Sequence, residues 1–174
     1  RIPLVIDLDP QAHLSAISGV TAANGSESLY AHYRDATPLA HLVRDSSRGW
    51  SIIPSHLDLS KVDTQFGKGP DALNRLNLGI QREKLNSERP ILMDACPMLG
   101  VLSLNGIFAC DRVLIPISTD YLAIKGAQQV DRTLRALHPA MPYVTEAIWQ
   151  RLNALRPDPE GASALIIASY PQAD

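Results

Sequence analysis

A chain of 174 residues, 45% apolar and 20% charged, has the composition of a globular protein long enough to bury one core. It contains no run of about eighteen apolar residues, so a membrane-spanning helix is not expected. A formal net charge of -2 gives no global basic footprint and therefore no argument for strong nucleic-acid binding. The two cysteines, Cys96 and Cys110, lack metal-ligand spacing and nothing reads as a signal peptide. A reducing cytoplasm and two buried thiols are expected.

The run Ile2 to Leu8 is short, continuous and aliphatic, as suits a strand buried on both faces of a parallel sheet. It starts immediately after Arg1, so the chain reads as cut inside a domain. Three further runs have the same form: Trp50 to Ile53 stops at Pro54, Ile91 to Met93 stops at Asp94, and Val113 to Ile115 stops at Pro116. Helical spacing appears over Asp71 to Leu85 and Leu102 to Cys110, between these runs, and again over Ala123 to Leu137. A helix from near Pro142 to Leu155 and a short strand over Ala164 to Ala168 complete the pattern. Strands alternating with helices predict an α/β fold whose four strands Leu4 to Leu8, Ile52 to Ile53, Ile91 to Met93 and Val113 to Ile115 are parallel neighbours. Ligands bind such sheets outside the carboxyl ends of the strands, where Asp7, Asp9, Asp94 and Pro116 should gather.

Asp7 and Asp9 stand one residue apart where a strand runs out into a loop. Paired carboxylates there can hold a hydrated Mg²⁺ and orient a water for attack on a phosphoryl group. The same spacing equally suits a turn built on Asx hydrogen bonds. Asp94, followed by Ala95, Cys96 and Pro97, ends a second apolar strand in the manner of a Walker B aspartate, which acts through a metal-bound water. His13, His32, His41, His56 and His138 are scattered without ligand spacing, and Arg44, Arg48, Lys61 and Lys68 suit solvated surface or a small basic face.

Taken in order, the blocks IDLDPQAHLS, SIIPSHLDLS and ILMDACPMLGVLSLNGIFACDRVLIPISTDYLAIKGAQQV resemble the successive blocks of ParA-type partition ATPases over residues 1 to about 135. The resemblance implies a P-loop NTPase-like parallel sheet with flanking helices. It implies that Asp9 positions the attacking water and that Asp7 lies near the metal and the P-loop lysine. Asp94, with Pro97 in the turn after it, takes the cofactor-side Walker B place, so Asp94 and Asp7 hold the metal. It further implies ATP and Mg²⁺ as cofactors of the whole family protein, a homodimer, a partition partner and non-specific DNA contact. No KGGxGKT string occurs in the 174 residues, and Gly67-Lys68-Gly69 lacks the GKT ending and the strand-to-helix setting of a phosphate cradle. The chain is therefore expected to lack the Walker A segment and to bind no ATP tightly alone.

The string LHPAMPYVTEAIW, with IIASYP after it, resembles the helical anticodon-binding region of valyl-tRNA synthetases over about residues 130–174. This implies a body spanning 1–135 and a short helical tail over 136–174. Trp149 on that tail is read as a packing residue, as buried aromatics usually are. A fragment of a tRNA ligase and a non-catalytic interaction module are the alternative readings of function.

Overall fold

The computed structural model describes residues 2–67, 72–87, 89–96 and 100–114, together with Arg132. The chain divides into Arg1–Ala109 and Cys110–Asp174, and the sheet with its packed helices belongs to the first of these units.

Strand β1, Leu4–Asp7, is buried along its whole length, as its uninterrupted aliphatic run requires. It lies inside a four-stranded sheet of order β2-β3-β1-β4, with β2 at Arg44–Asp45, β3 at Ser51–Ile53 and β4 at Ile91–Asp94. β1 pairs in parallel with β3, Val5 opposite Ile52, and with β4, Val5 opposite Leu92. The expected parallel arrangement of the first three aliphatic runs is thus present. The fourth run departs from it: Val113 and Leu114 are not in a strand, Leu114 is 90% exposed, and Ile115 and Pro116 lie outside the described residues.

β2 is an antiparallel partner of β3 that the sequence did not announce. It is two exposed polar residues long and has no apolar period to detect. A turn brings it back onto β3: the Trp50 carbonyl accepts from the Ser46 N–H at 3.0 Å, and Gly49 takes a φ of 86°. β4 alternates half-buried and exposed residues, with Leu92 56% exposed. It forms the other edge among the described strands, and its apolar run is not buried on both faces.

Leu4, Ile6 and Leu8 alternate onto one side and enter a core shared with Leu29, Tyr33, Leu39, Leu76 and Leu102. Helices α1 at His13–Ile17, α2 at Tyr30–Asp35, α3 at Leu39–Leu42 and α4 at Val62–Gln65 are short. Helix α5, Arg75–Arg82, falls inside the predicted 71–85 segment, and α6, Val101–Ala109, is one residue out of phase with the predicted span, as helix ends often are.

Tertiary bonds hold the short helices. The Glu83 carboxylate beyond α5 accepts from the Leu39 and Ala40 N–H groups, both at 2.8 Å, and so caps the start of α3. Gly79 of α5 leaves room for His32 and Leu39, since a Cβ there would come within 2.8 Å of His32 Cε1. Ala36 closes α2 with φ 57°, a left-handed conformation that costs a non-glycine residue about 1 to 2 kcal/mol.

Candidate functional site at the carboxyl ends of β1 and β4

Parallel pairing brings β1 and β4 to an end together, with Asp7 directly opposite Asp94 in the register. The Leu8 N–H donates to the Asp94 carbonyl at 2.8 Å and keeps the two exits together for one more residue. Asp9 follows in the loop leading to α1. The three carboxylates expected at one sheet edge are therefore neighbours, and the charges of both Asp7 and Asp9 act on Asp94.

Their environments differ. Asp7 is fully buried and accepts three hydrogen bonds: Oδ1 from the Asp9 N–H at 3.1 Å, and Oδ2 from the Ser15 N–H at 2.9 Å and the Ser15 hydroxyl at 2.6 Å. Burial still raises its carboxyl above the ordinary value of 3.8, against the pull of the Ser15 and Asp9 donors. Asp9 is half-buried, and its Oδ1 accepts from the Gln11 N–H at 3.0 Å. Both aspartates thus make the Asx bonds that the turn reading anticipated, while sharing an edge with Asp94. Asp94 is exposed as a residue, yet partial loss of water around its carboxyl, followed by the charges of Asp7 and Asp9, raises its pKa. His13, at the start of α1, opposes that rise.

Two residues that sequence spacing did not single out complete the arrangement. The Ser15 hydroxyl, besides donating to Asp7, accepts from the Ser55 N–H at 2.9 Å. The Ser55 hydroxyl donates to the Asp9 carbonyl at 2.6 Å. The available signal was a hydroxyl shortly after each of two strand exits, in IDLDPQAHLS and SIIPSHLDLS. Helix α1 itself has no side-chain cap and starts from Ala12 at φ 55°. Its far end is tied to the β2–β3 hairpin, where Arg48 Nε donates to the Ile17 carbonyl and Trp50 Nε1 to Ser18 Oγ.

Pro97, Lys68, Gly69 and His138 lie outside the described residues. His32 is buried with its two ring nitrogens beside the Thr37 and Arg75 carbonyls, and no metal-binding cluster of three ligands occurs among the described residues. Arg44 donates to the His41 and Val43 carbonyls, Arg48 to the Ile17 carbonyl and Lys61 to Asp58. Cys96 and Cys110 are half-buried where full burial was expected, because both sit at element ends rather than inside them.

A mostly parallel α/β sheet with flanking helices and acidic residues at its carboxyl edge is the fold of P-loop NTPases. Residues 2–143 match the family described as an AAA domain, and the chain belongs to that family. Over 160 residues it is 28% identical to the chromosome partitioning protein ParA of Caulobacter vibrioides, covering 87% of this chain and 60% of that protein. It is 31% identical over 146 residues to a probable plasmid-partitioning protein ParA of Thermus thermophilus, covering 80% of this chain and 44% of the relative. The chain thus spans about half the length of the curated relatives it matches. Among solved structures, cobyrinic acid a,c-diamide synthase from Mycobacterium smegmatis with bound ADP and magnesium superposes with a TM-score of 0.71 at 25% identity, covering 80% of this chain and 56% of that one. The ParA relatives, at this modest identity, support a partition-ATPase-family protein. Among the described residues no helix is long and apolar enough to cross a membrane.

Proposed function

We propose that the chain carries the metal and water side of a partition ATPase's nucleotide site, in a cytoplasmic protein that serves chromosome or plasmid partitioning. The observation that supports this reading is the paired exit of β1 and β4, which sets Asp7 opposite Asp94 with Asp9 just beyond. The three carboxylates do not by themselves form a three-ligand metal cluster, but loss of water followed by the charges of Asp7 and Asp9 raises Asp94, and an all-oxygen edge of this kind would suit a hard cation reached through its own waters. A bound Mg²⁺ would supply positive charge to offset these carboxylates and the charge of a phosphoryl group.

Asp94 takes the Walker B place and would hold a metal through water; Pro97, the next element of that motif, lies outside the described residues. Asp9 accepts a hydrogen bond from the attacking water and orients it. Asp7 stands behind both on the buried side and adds its charge to the metal's surroundings. A homodimer, a partition partner and DNA contact belong to the whole protein on this reading.

Three carboxylates at one edge repel a triphosphate, and the 174 residues contain no KGGxGKT string to supply a nest of N–H groups and a lysine. Calorimetric titration of the 174-residue protein with ATP and Mg²⁺ is expected to show no micromolar binding. A longer protein bearing a KGGxGKT segment ahead of Arg1 is expected to bind, and there Asp9→Asn should retain binding while losing hydrolysis. Micromolar affinity in the 174-residue chain would refute the first expectation; hydrolysis undiminished by Asp9→Asn would remove Asp9 from the chemistry.

The division at residue 135 belongs to the same proposal, supported by the LHPAMPYVTEAIW string, which lies outside the described residues. Limited proteolysis should then trim 136–174 and leave a resistant 1–135 body. Equal resistance of both segments counts against the division.

A further inference from the structure

We infer that Ser15 and Ser55 are positioning residues for Asp9, acting through a closed ring of hydrogen bonds in which buried Asp7 is the hub. This rests on the reading of Asp9 as the water-orienting carboxylate. The ring can be followed atom by atom: the Asp9 N–H to Asp7 Oδ1, Asp7 Oδ2 to the Ser15 hydroxyl, the Ser15 oxygen to the Ser55 N–H, and the Ser55 hydroxyl back to the Asp9 carbonyl.

Three separate parts of the chain contribute: the exit of β1, helix α1 and the exit of β3. Ser15 and Ser55 are 40 residues apart, so no local turn imposes the contact. Asp7, Ser15 and Ser55 are all within 2% of full burial, where a hydrogen bond without competing water is stiff and an unmade one is costly.

The consequence falls on Asp9. Its amide is held by Asp7 and its carbonyl by Ser55, which fixes both peptide planes flanking its Cα. Its Oδ1 is held in turn by the Gln11 N–H, while Oδ2 accepts no hydrogen bond among the described residues. The ring thus leaves one carboxylate oxygen available on an immobilised backbone, the form of preorganisation that a water-orienting group needs. Asp7 differs, since its three bonds and full burial commit it to the scaffold.

The test uses amide hydrogen exchange of the 174-residue protein by NMR, with Mn²⁺ alone as a paramagnetic probe. Ser15→Ala should speed exchange at Asp9 and Ser55 as well as at Ser15, by about five- to tenfold, as expected for losing roughly one buried hydrogen bond. The Val5 and Ile6 amides, inside β1, should keep their protection and so report that the fold survives. Ser15→Thr, which retains the hydroxyl, should restore all three. Ser55→Ala should speed exchange at Asp9 and leave Val5 unchanged. Mn²⁺ should broaden the Asp9 and Asp94 signals of the wild type, with weaker affinity in Ser15→Ala and recovery in Ser15→Thr. Faster exchange confined to Ser15, or no rescue by Thr, overturns the ring as a positioning device. An intact exchange pattern with no Mn²⁺ broadening in the wild type supports the ring and instead sinks the metal-site reading on which its use depends.

Discussion

Asn105→Ala is expected to destabilise the protein by about 3 to 5 kcal/mol, read as a fall in the urea midpoint at unchanged slope and a loss of roughly 10 °C in Tm. Asn105 is fully buried in α6, and both ends of its amide are used. Oδ1 accepts from the Leu76 N–H at 3.1 Å, at the start of α5, while Nδ2 donates to the Ala72 carbonyl at 2.8 Å and the Val101 carbonyl at 2.9 Å. Alanine leaves an N–H and the Ala72 carbonyl without this partner in a dry place and opens a small cavity beside them. Asn105→Asp, although nearly isosteric, should be at least as harmful, because a carboxylate would face two carbonyl oxygens without a donor to offer them. A loss below about 1 kcal/mol for either variant would show that water or a shift of α5 takes over the amide's bonds.

Replacing Asp7 should have two measurable consequences. Asp7→Ala removes the acceptor for two buried N–H groups and the Ser15 hydroxyl, at an expected cost of about 2 to 4 kcal/mol. Asp7→Asn keeps the size and isolates the charge. Because burial raises the Asp7 carboxyl above 3.8, the folded state retains a proton that the unfolded chain has released. The carboxyl's contribution is therefore complete below 3.8 and declines as pH rises through the raised value. Wild type should lose stability relative to Asp7→Asn across that window. The comparison with Asn is necessary because Asp94 shares the sign of Asp7, whereas Asp35 and Asp58, lowered by their hydrogen bonds from Arg34 and Lys61, have the opposite one. Urea melts of both proteins from about pH 3 to pH 7 decide it. A wild type that gains on the variant with rising pH would mean that the three donors outweigh burial.

How much of the fold could be read from the residues depends on the range of the forces involved. β1, β3 and β4 were legible because a short apolar run closed by Asp or Pro suits a strand, although only β1 and β3 proved buried along their length. Their parallel order followed from the crossovers, and the clustering of Asp7, Asp9 and Asp94 from the strand exits. β2 was not legible, since Arg44 and Asp45 are exposed polar residues with no apolar period, held on β3 by backbone pairing and a Ser51 hydroxyl to Asp45 contact. Helices α2 and α3 depend on His32 fitting beside Gly79 and on the Glu83 cap, contacts between residues more than 40 positions apart. The Ser15 and Ser55 bonds escaped for the same reason: a hydroxyl's partner across the fold leaves no period in the sequence.

The two edges of the sheet are unequal in what they can accept. β2 is two residues long, charged and doubled back by a tight turn, so it offers few backbone groups to another strand and blunts that side against edge-to-edge aggregation. β4 is twice as long and has Leu92 exposed. Among the described residues, a strand added to this sheet therefore has its place beside β4, next to Asp94. Growth on that side would lengthen, among the described residues, the carboxyl edge on which Asp7 and Asp94 stand.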